Sequence, residues 1–158
     1  MENFCTICGA KLSDDKVCRD LYNELSYYSL THPNKEFFIH QYIVDAYLAQ
    51  HASKDIKPIK IALALVGLCL FVNYNYTGRQ IQNAHIELTK VKKNWPVFVR
   101  PESKIDITIS DILLTKTYSS RDELIKKWAT SVWGIWKDQH AAIMQLAGLY
   151  IENKKNKI

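Results

Sequence analysis

The chain has 158 residues, enough for one domain with a continuous core. Its apolar fraction of 47% and charged fraction of 23% match an ordinary globular protein and exclude a disordered or fibrous one. The net charge of +5, from 21 basic and 16 acidic side chains, permits a nucleic-acid or acidic partner without demanding one.

The N-terminus opens on Phe4-Cys5-Thr6-Ile7-Cys8-Gly9, followed by a polar turn, Ser13-Asp14-Asp15-Lys16, and then Cys18. Met1-Glu2-Asn3-Phe4 lacks the basic start and apolar run of a signal peptide, so a cytoplasmic location is expected. A helix is predicted from about Cys18 to Leu30, with Leu21, Leu25 and Tyr28 at helical spacing. Thr31-His32-Pro33-Asn34 breaks it. A second helix is predicted from about Lys35 to His51.

Pro58 suits the first turn of a third helix, over about 58–74. Its apolar run, Ile61 to Val72, is well short of the ~20 residues that span a bilayer. It reads as a helix buried on most sides. A fourth, basic and amphipathic helix covers about 79–92, and Trp95 to Pro101 reads as an extended crossing segment. Thr108 to Asp111 can cap a short helix through Leu114. Ser120-Arg121-Asp122-Glu123 has the form of a capping box, in which Ser120 would start the last helix. That helix carries Leu124, Trp128, Val132, Ile135, Ile143 and Leu146 on one stripe, with Trp133, Trp136, His140 and Ala147 beside it. The tryptophans read as core. Lys90-Val91-Lys92-Lys93 and Lys126-Lys127 read as solvated faces. The expectation is a mainly α, single-domain bundle of about five to six helices over 1–158: a knuckle and turn at 1–17, a helical body at 18–150 and a basic tail at 151–158.

The sharpest chemistry lies at the N-terminus. A Cys-x-x-Cys turn followed by glycine aims two sulfurs at one point, and in a reducing compartment such cysteines read as metal ligands rather than a disulfide framework. Cys5, Cys8 and Cys18 are three positions for Zn2+. The first two helices are joined by a short loop and should pack antiparallel, which brings the end of the second, at His51, to the start of the first, at Cys18. His51 is therefore the fourth ligand expected, with Asp14, Asp15 and His140 as the other candidates. His40 lies ~16 Å from His51 along one helix and cannot share the ion. Cys69 reads as a buried free thiol. His32 reads as an exposed loop residue and His85 as part of a surface helix face.

The order of pieces resembles the DUF5946 family of uncharacterised bacterial proteins. The matching pieces are Cys5 to Gly9, Cys18-Arg19-Asp20-Leu21, His40, and Asp45-Ala46-Tyr47-Leu48-Ala49-Gln50-His51. After them come Gly67-Leu68-Cys69-Leu70, Trp95, and Trp128 through Trp133 and Trp136 to His140. The resemblance implies a metal-binding helical protein and supplies no activity. Family members tend to carry a histidine pair where this chain has His40-Gln41, a proline where it has Ala52, and a histidine where it has Gln139.

Two functions follow as expectations. A zinc-stabilised protein-interaction or scaffold module would pack its knuckle on the bundle through Ile7 and Leu12. Of the knuckle flanks Phe4, Thr6, Ile7, Lys11 and Leu12, only Lys11 is basic, so a protein partner is favoured over nucleic acid. A metal-dependent enzyme of hydrolase or transferase type would instead use a histidine-lined site in the bundle, with His40, Asp45, Tyr47 and His140 as its candidate residues. No phosphate-binding glycine loop, His-Glu-x-x-His or nucleophile elbow is present in the sequence.

Overall fold

Cys5 to Ala10 turns tightly enough to pair the segments on either side of it. The computed structural model describes residues 2–156. In it, β1 (Asn3–Phe4) and β2 (Lys11–Leu12) form an antiparallel pair, with Asn3 opposite Leu12 and Phe4 opposite Lys11. Between them the Cys5 amide donates to the Ala10 carbonyl and the Gly9 amide to the Cys5 carbonyl, each at 2.8 Å. Gly9 has φ of 80°, a left-handed conformation that glycine adopts without a Cβ penalty.

Helix α1 (Cys18–Leu30) starts where the Asp20 carboxylate accepts from the Val17 amide at 2.8 Å. Helix α2 (His40–Gln50) begins five residues later than the sequence suggests. The physical cause is Phe38, whose φ of 48° interrupts the helix. Residues 35–39 form a turn docked on the start of α4, where the Phe37 carbonyl accepts from the Gly78 amide at 2.8 Å. A Cβ on Gly78 would lie 1.8 Å from the Phe38 carbonyl oxygen, so this approach requires glycine.

Helix α3 (Pro58–Tyr74) ends at Asn75 in the left-handed conformation. Ile61, Ala62 and Ala64 through Leu70 are buried, which places α3 at the centre of the bundle. Helix α4 (Gly78–Val91) has a reciprocal cap: Thr77 Oγ1 accepts from the Gln80 amide, and Gln80 Oε1 accepts from the Thr77 amide. Residues 92–108 cross the bundle without helix. Helix α5 (Ile109–Leu113) is anchored by Asp111, which accepts from the Thr108 amide at 2.8 Å.

The last helix of the sequence reading is two helices. Helix α6 (Tyr118–Ile135) is capped by Thr117, whose hydroxyl accepts from the Ser120 amide; Ser120 itself is a helical residue rather than the cap. A single 3-10 turn (Lys137–Gln139) separates it from α7 (His140–Asn156). Tertiary contacts hold this corner. The Gln139 side-chain amide donates to the Val99 carbonyl at 2.7 Å and accepts from the Val99 amide at 3.2 Å. His140 stacks on Trp133. The chain is thus mostly helical, with seven α-helices among the described residues. Residues 151–156 continue α7 rather than forming a separate tail, and Lys157 and Ile158 lie outside the described residues.

The core sits where α2 and α3 cross, with α1, α4 and α6 against α2, and α4, α6 and α7 against α3. Trp128 and Trp136 are fully buried and Trp133 nearly so. Trp128 donates its indole N–H to the buried Gln50 side chain at 3.1 Å. No helix among the described residues is long and apolar enough to cross a membrane.

Candidate metal centre

The knuckle turn, the first residue of α1 and the residue just beyond α2 converge on one point. Antiparallel packing of α1 and α2 is what brings the last two together. The sulfurs of Cys5, Cys8 and Cys18 and a ring nitrogen of His51 all lie within 4.8 Å of one another. Cys8 Sγ is 3.6 Å from Cys18 Sγ, and His51 Nε2 is 3.5 Å from Cys18 Sγ and 3.8 Å from Cys5 Sγ. The other ring nitrogen of His51, Nδ1, donates to the Tyr47 carbonyl at 2.9 Å. That bond selects the tautomer in which Nε2 carries a lone pair toward the sulfurs.

The electrostatics of the cluster are compatible with a cation. Cys8 and Cys18 share a sulfur–sulfur hydrogen bond, and this bond is the main cause that holds the Cys8 thiol down at about 4 against the opposing effect of burial. The same bond, then burial and the neighbouring sulfurs, pushes Cys18 far above the usual thiol range. Only part of the cluster can ionise unaided. A bound metal ion would remove that limit, because it stabilises thiolates directly. The Ala10 amide also donates to Cys8 Sγ at 3.4 Å, as backbone amides do around metal-bound sulfur. The donor set, three sulfurs and one imidazole nitrogen, therefore fits a metal ion. Asp14 and Asp15 stay exposed in their turn and outside this group.

The knuckle packs differently from expectation at one residue. Leu12 lies partly buried against the core, but Ile7 is 48% exposed at the tip of the turn.

The other candidate residues are dispersed. His40, the first residue of α2, has Nδ1 at 2.8 Å from Ser29 Oγ, and burial lowers its pKa. His140 places Nε2 at 2.8 Å from the Trp133 carbonyl, with its ring parallel to the Trp133 ring at 3.7 Å. Each ring is thus held by a local partner. Tyr47 stacks against both Tyr22 and His51, and burial raises its hydroxyl to about 12. Among the described residues, no second set of three or more His, Cys, Asp or Glu side chains comes together to hold a metal.

Asp45 does meet a histidine, but it is His85. Asp45 is 1% exposed, and burial pushes its carboxyl well above the usual range. Its Oδ1 accepts from Gln41 Nε2 at 3.0 Å, and its Oδ2 faces His85 Nε2 at 4.0 Å. His85 therefore belongs to the interior rather than to a surface face, and burial lowers it to about 4. The sequence carried a signal for this: Ile81, Ala84 and Leu88 are the buried stripe of α4, and His85 lies one turn from Ile81 beside it.

His32 is likewise buried rather than exposed. Its Nδ1 accepts from the Asn34 amide at 3.0 Å, and its Nε2 donates to Asp122 Oδ2 at 2.8 Å. Tyr28 donates to the other Asp122 oxygen at 2.9 Å, so the cluster ties the end of α1 to the start of α6. Cys69 is a buried free thiol, raised to about 11 by burial.

Neither a curated protein nor a solved structure matches the chain. A family model does, over residues 3–137, which takes in all four candidate ligands, Asp45 and His85. The chain belongs to that family, DUF5946, a family of unknown function.

Proposed function

We propose that the protein is a zinc-stabilised helical scaffold that presents the face around its knuckle to a protein partner. The observation that carries this reading is the closed donor set: four protein ligands from three separate segments, within 4.8 Å of one another. Tetrahedral zinc bound by three cysteines and a histidine has no open position for substrate, and such sites contribute folding free energy. The ion would tie the N-terminal segment to the end of α2. A cytoplasmic location suits the reading, since it keeps the thiols reduced.

The surface beside the ion supports a contact role. A groove of about 620 Å³ runs between the knuckle and the crossing segment, lined by Phe4, Ile7, Lys11, Arg100, Lys104 and Asp106. Phe4 and Ile7 are both about half exposed there, and neither is needed to hold the metal. Apolar anchors within a polar rim are the composition of a protein contact rather than of a nucleic-acid surface.

The test is to purify the chain with its partners from the cells that make it, as wild type and as Phe4→Asp/Ile7→Asp. The reading expects zinc content and melting temperature to be retained in the variant and a co-purifying protein to be lost. Identical partners in both, or none in either, would count against it. A metal-dependent enzyme working through His40 and His140 requires a second metal. Metal content of a His40→Ala/His140→Ala variant tests that alternative: one metal lost relative to wild type would favour it.

A further inference from the structure

We propose that the cavity between α1, α2, α3 and α4 binds a small hydroxylated carboxylate, its carboxylate held by Arg19 and Lys60 and its hydroxyl bridging Asp45 Oδ2 and His85 Nε2. This goes beyond the scaffold reading and does not depend on the metal centre.

The cavity has a volume of about 310 Å³ and is lined by Arg19, Tyr22, Tyr47 and Lys60, with Gln41, Asp45 and His85 among its other walls. A single water takes up about 30 Å³ in the liquid, so there is room for a small organic molecule.

Two buried polar atoms at this site have no hydrogen-bond partner, Asp45 Oδ2 and His85 Nε2. Such atoms are costly unless something satisfies them. Their separation of 4.0 Å is too long for a direct hydrogen bond and short enough for one oxygen to reach both. Gly67 of α3 packs directly against the pair: a Cβ there would stand 1.9 Å from Asp45 Oδ2 and 3.1 Å from His85 Nε2, so the carboxyl takes this position only because residue 67 has no side chain.

The protonation states select the group that fits. His85 is hydrogen-bonded to the backbone of Leu63, which leaves Nε2 as the ring nitrogen without a partner. A neutral imidazole donating to that backbone carbonyl keeps an acceptor lone pair on Nε2. Asp45, whose burial favours the neutral acid, offers an O–H on Oδ2. One donor and one acceptor 4 Å apart match a hydroxyl, which accepts from the first and donates to the second. Neither a carboxylate nor an ammonium group can do both.

The mouth selects charge. Arg19 and Lys60 are exposed, and neither has an ion-pair partner among the described residues. The Arg19 guanidinium lies over the Tyr22 ring at 4.8 Å, which orients it at the entrance. Planar guanidinium groups pair well with carboxylates.

The test uses three probes of similar size: glycerate, which has both groups, propionate, which has only the carboxylate, and glycerol, which has only hydroxyls. Titrations of the chain as purified, followed by calorimetry and by the 15N resonance of His85 Nε2, should show saturable binding of glycerate. The other two should bind about tenfold more weakly or worse, as expected for loss of a charge-assisted or buried hydrogen bond. Glycerate should move the His85 Nε2 resonance and propionate should not. Arg19→Ala/Lys60→Ala changes only exposed side chains, so it should keep the melting temperature and lose glycerate binding. Absence of saturable glycerate binding, equal binding of the three probes, an unmoved His85 resonance, or undiminished binding in the double variant would each overturn the proposal.

Discussion

His51 donates Nδ1–H to the carbonyl of Tyr47, one helical turn earlier, while the two rings stack with centroids 4.2 Å apart. Tyr47 therefore orients the imidazole in two ways, through its backbone and through its ring, and its hydroxyl takes no part in either. Tyr47→Phe should bind zinc as tightly as wild type. Tyr47→Ala keeps the carbonyl and removes the ring, and should weaken binding by about tenfold, as loss of groups that orient a ligand generally does. Competition with a chromogenic chelator measures both. Equal affinity in all three proteins would show that the stack does not position His51.

Removal of the metal should be felt across the whole domain. The four candidate ligands come from the knuckle, α1 and the end of α2, so an empty site would free the N-terminal segment and the α1–α2 contact together. Cys8→Ser is expected to lower the melting temperature by about 10 °C or more, given that a structural site can contribute several kcal/mol. Limited proteolysis should then cut first within residues 2–17. A variant that melts with zinc-replete wild type, or a wild type whose melting is unmoved by exhaustive chelation, would contradict this.

Much of this centre is legible in the sequence, because Cys-x-x-Cys-Gly is local and a short loop between two helices implies antiparallel packing. The limits of α1, α3 and α4 are legible for the same reason: proline, capping residues and apolar periodicity mark them nearby in the chain. What is not legible depends on distant partners. The corner between α6 and α7 has no proline, and is held by Gln139 gripping Val99 and by His140 on Trp133. Phe38 leaves the helical region because residues 35–39 dock on Gly78. His32 pairs with Asp122 from 90 residues away. His85 faces Asp45 across the bundle at 4.0 Å, and only its place beside the apolar stripe of α4 hints at it.

Gly67 is predicted to resist substitution because of Asp45. An alanine methyl would sit 1.9 Å from Asp45 Oδ2, and Gln41 holds that carboxyl in place. Gly67→Ala should cost about 1–3 kcal/mol, the usual range for overpacking. In an Asp45→Ala background the clash is gone, so the same substitution should cost much less. Equilibrium denaturation of the four proteins gives the coupling, and additive effects would place the carboxyl elsewhere.

The buried pair also fixes a pH dependence. Asp45 titrates above its unfolded value of 3.8, so the stability it contributes is present in full below that value and is lost as pH rises through its folded pKa. His85 runs the other way: its folded value of about 4 lies below the unfolded 6.5, so its contribution is present above 6.5 and is lost as pH falls toward 4. Asp45→Asn keeps the shape and removes the first effect. The variant should melt a few degrees above wild type at neutral pH, with the gain vanishing as pH falls toward the unfolded carboxylate value. A constant difference at every pH would show that Asp45 titrates normally in the fold.

The proposed scaffold depends on one structural zinc ion held by Cys5, Cys8, Cys18 and His51. Elemental analysis of the purified protein, wild type beside His51→Ala and Cys8→Ser, tests it most directly. One zinc per chain is expected in wild type, with a marked fall in both variants and a lower melting temperature in step with the metal lost. Metal-free wild-type protein that melts as sharply as zinc-supplemented protein would contradict it.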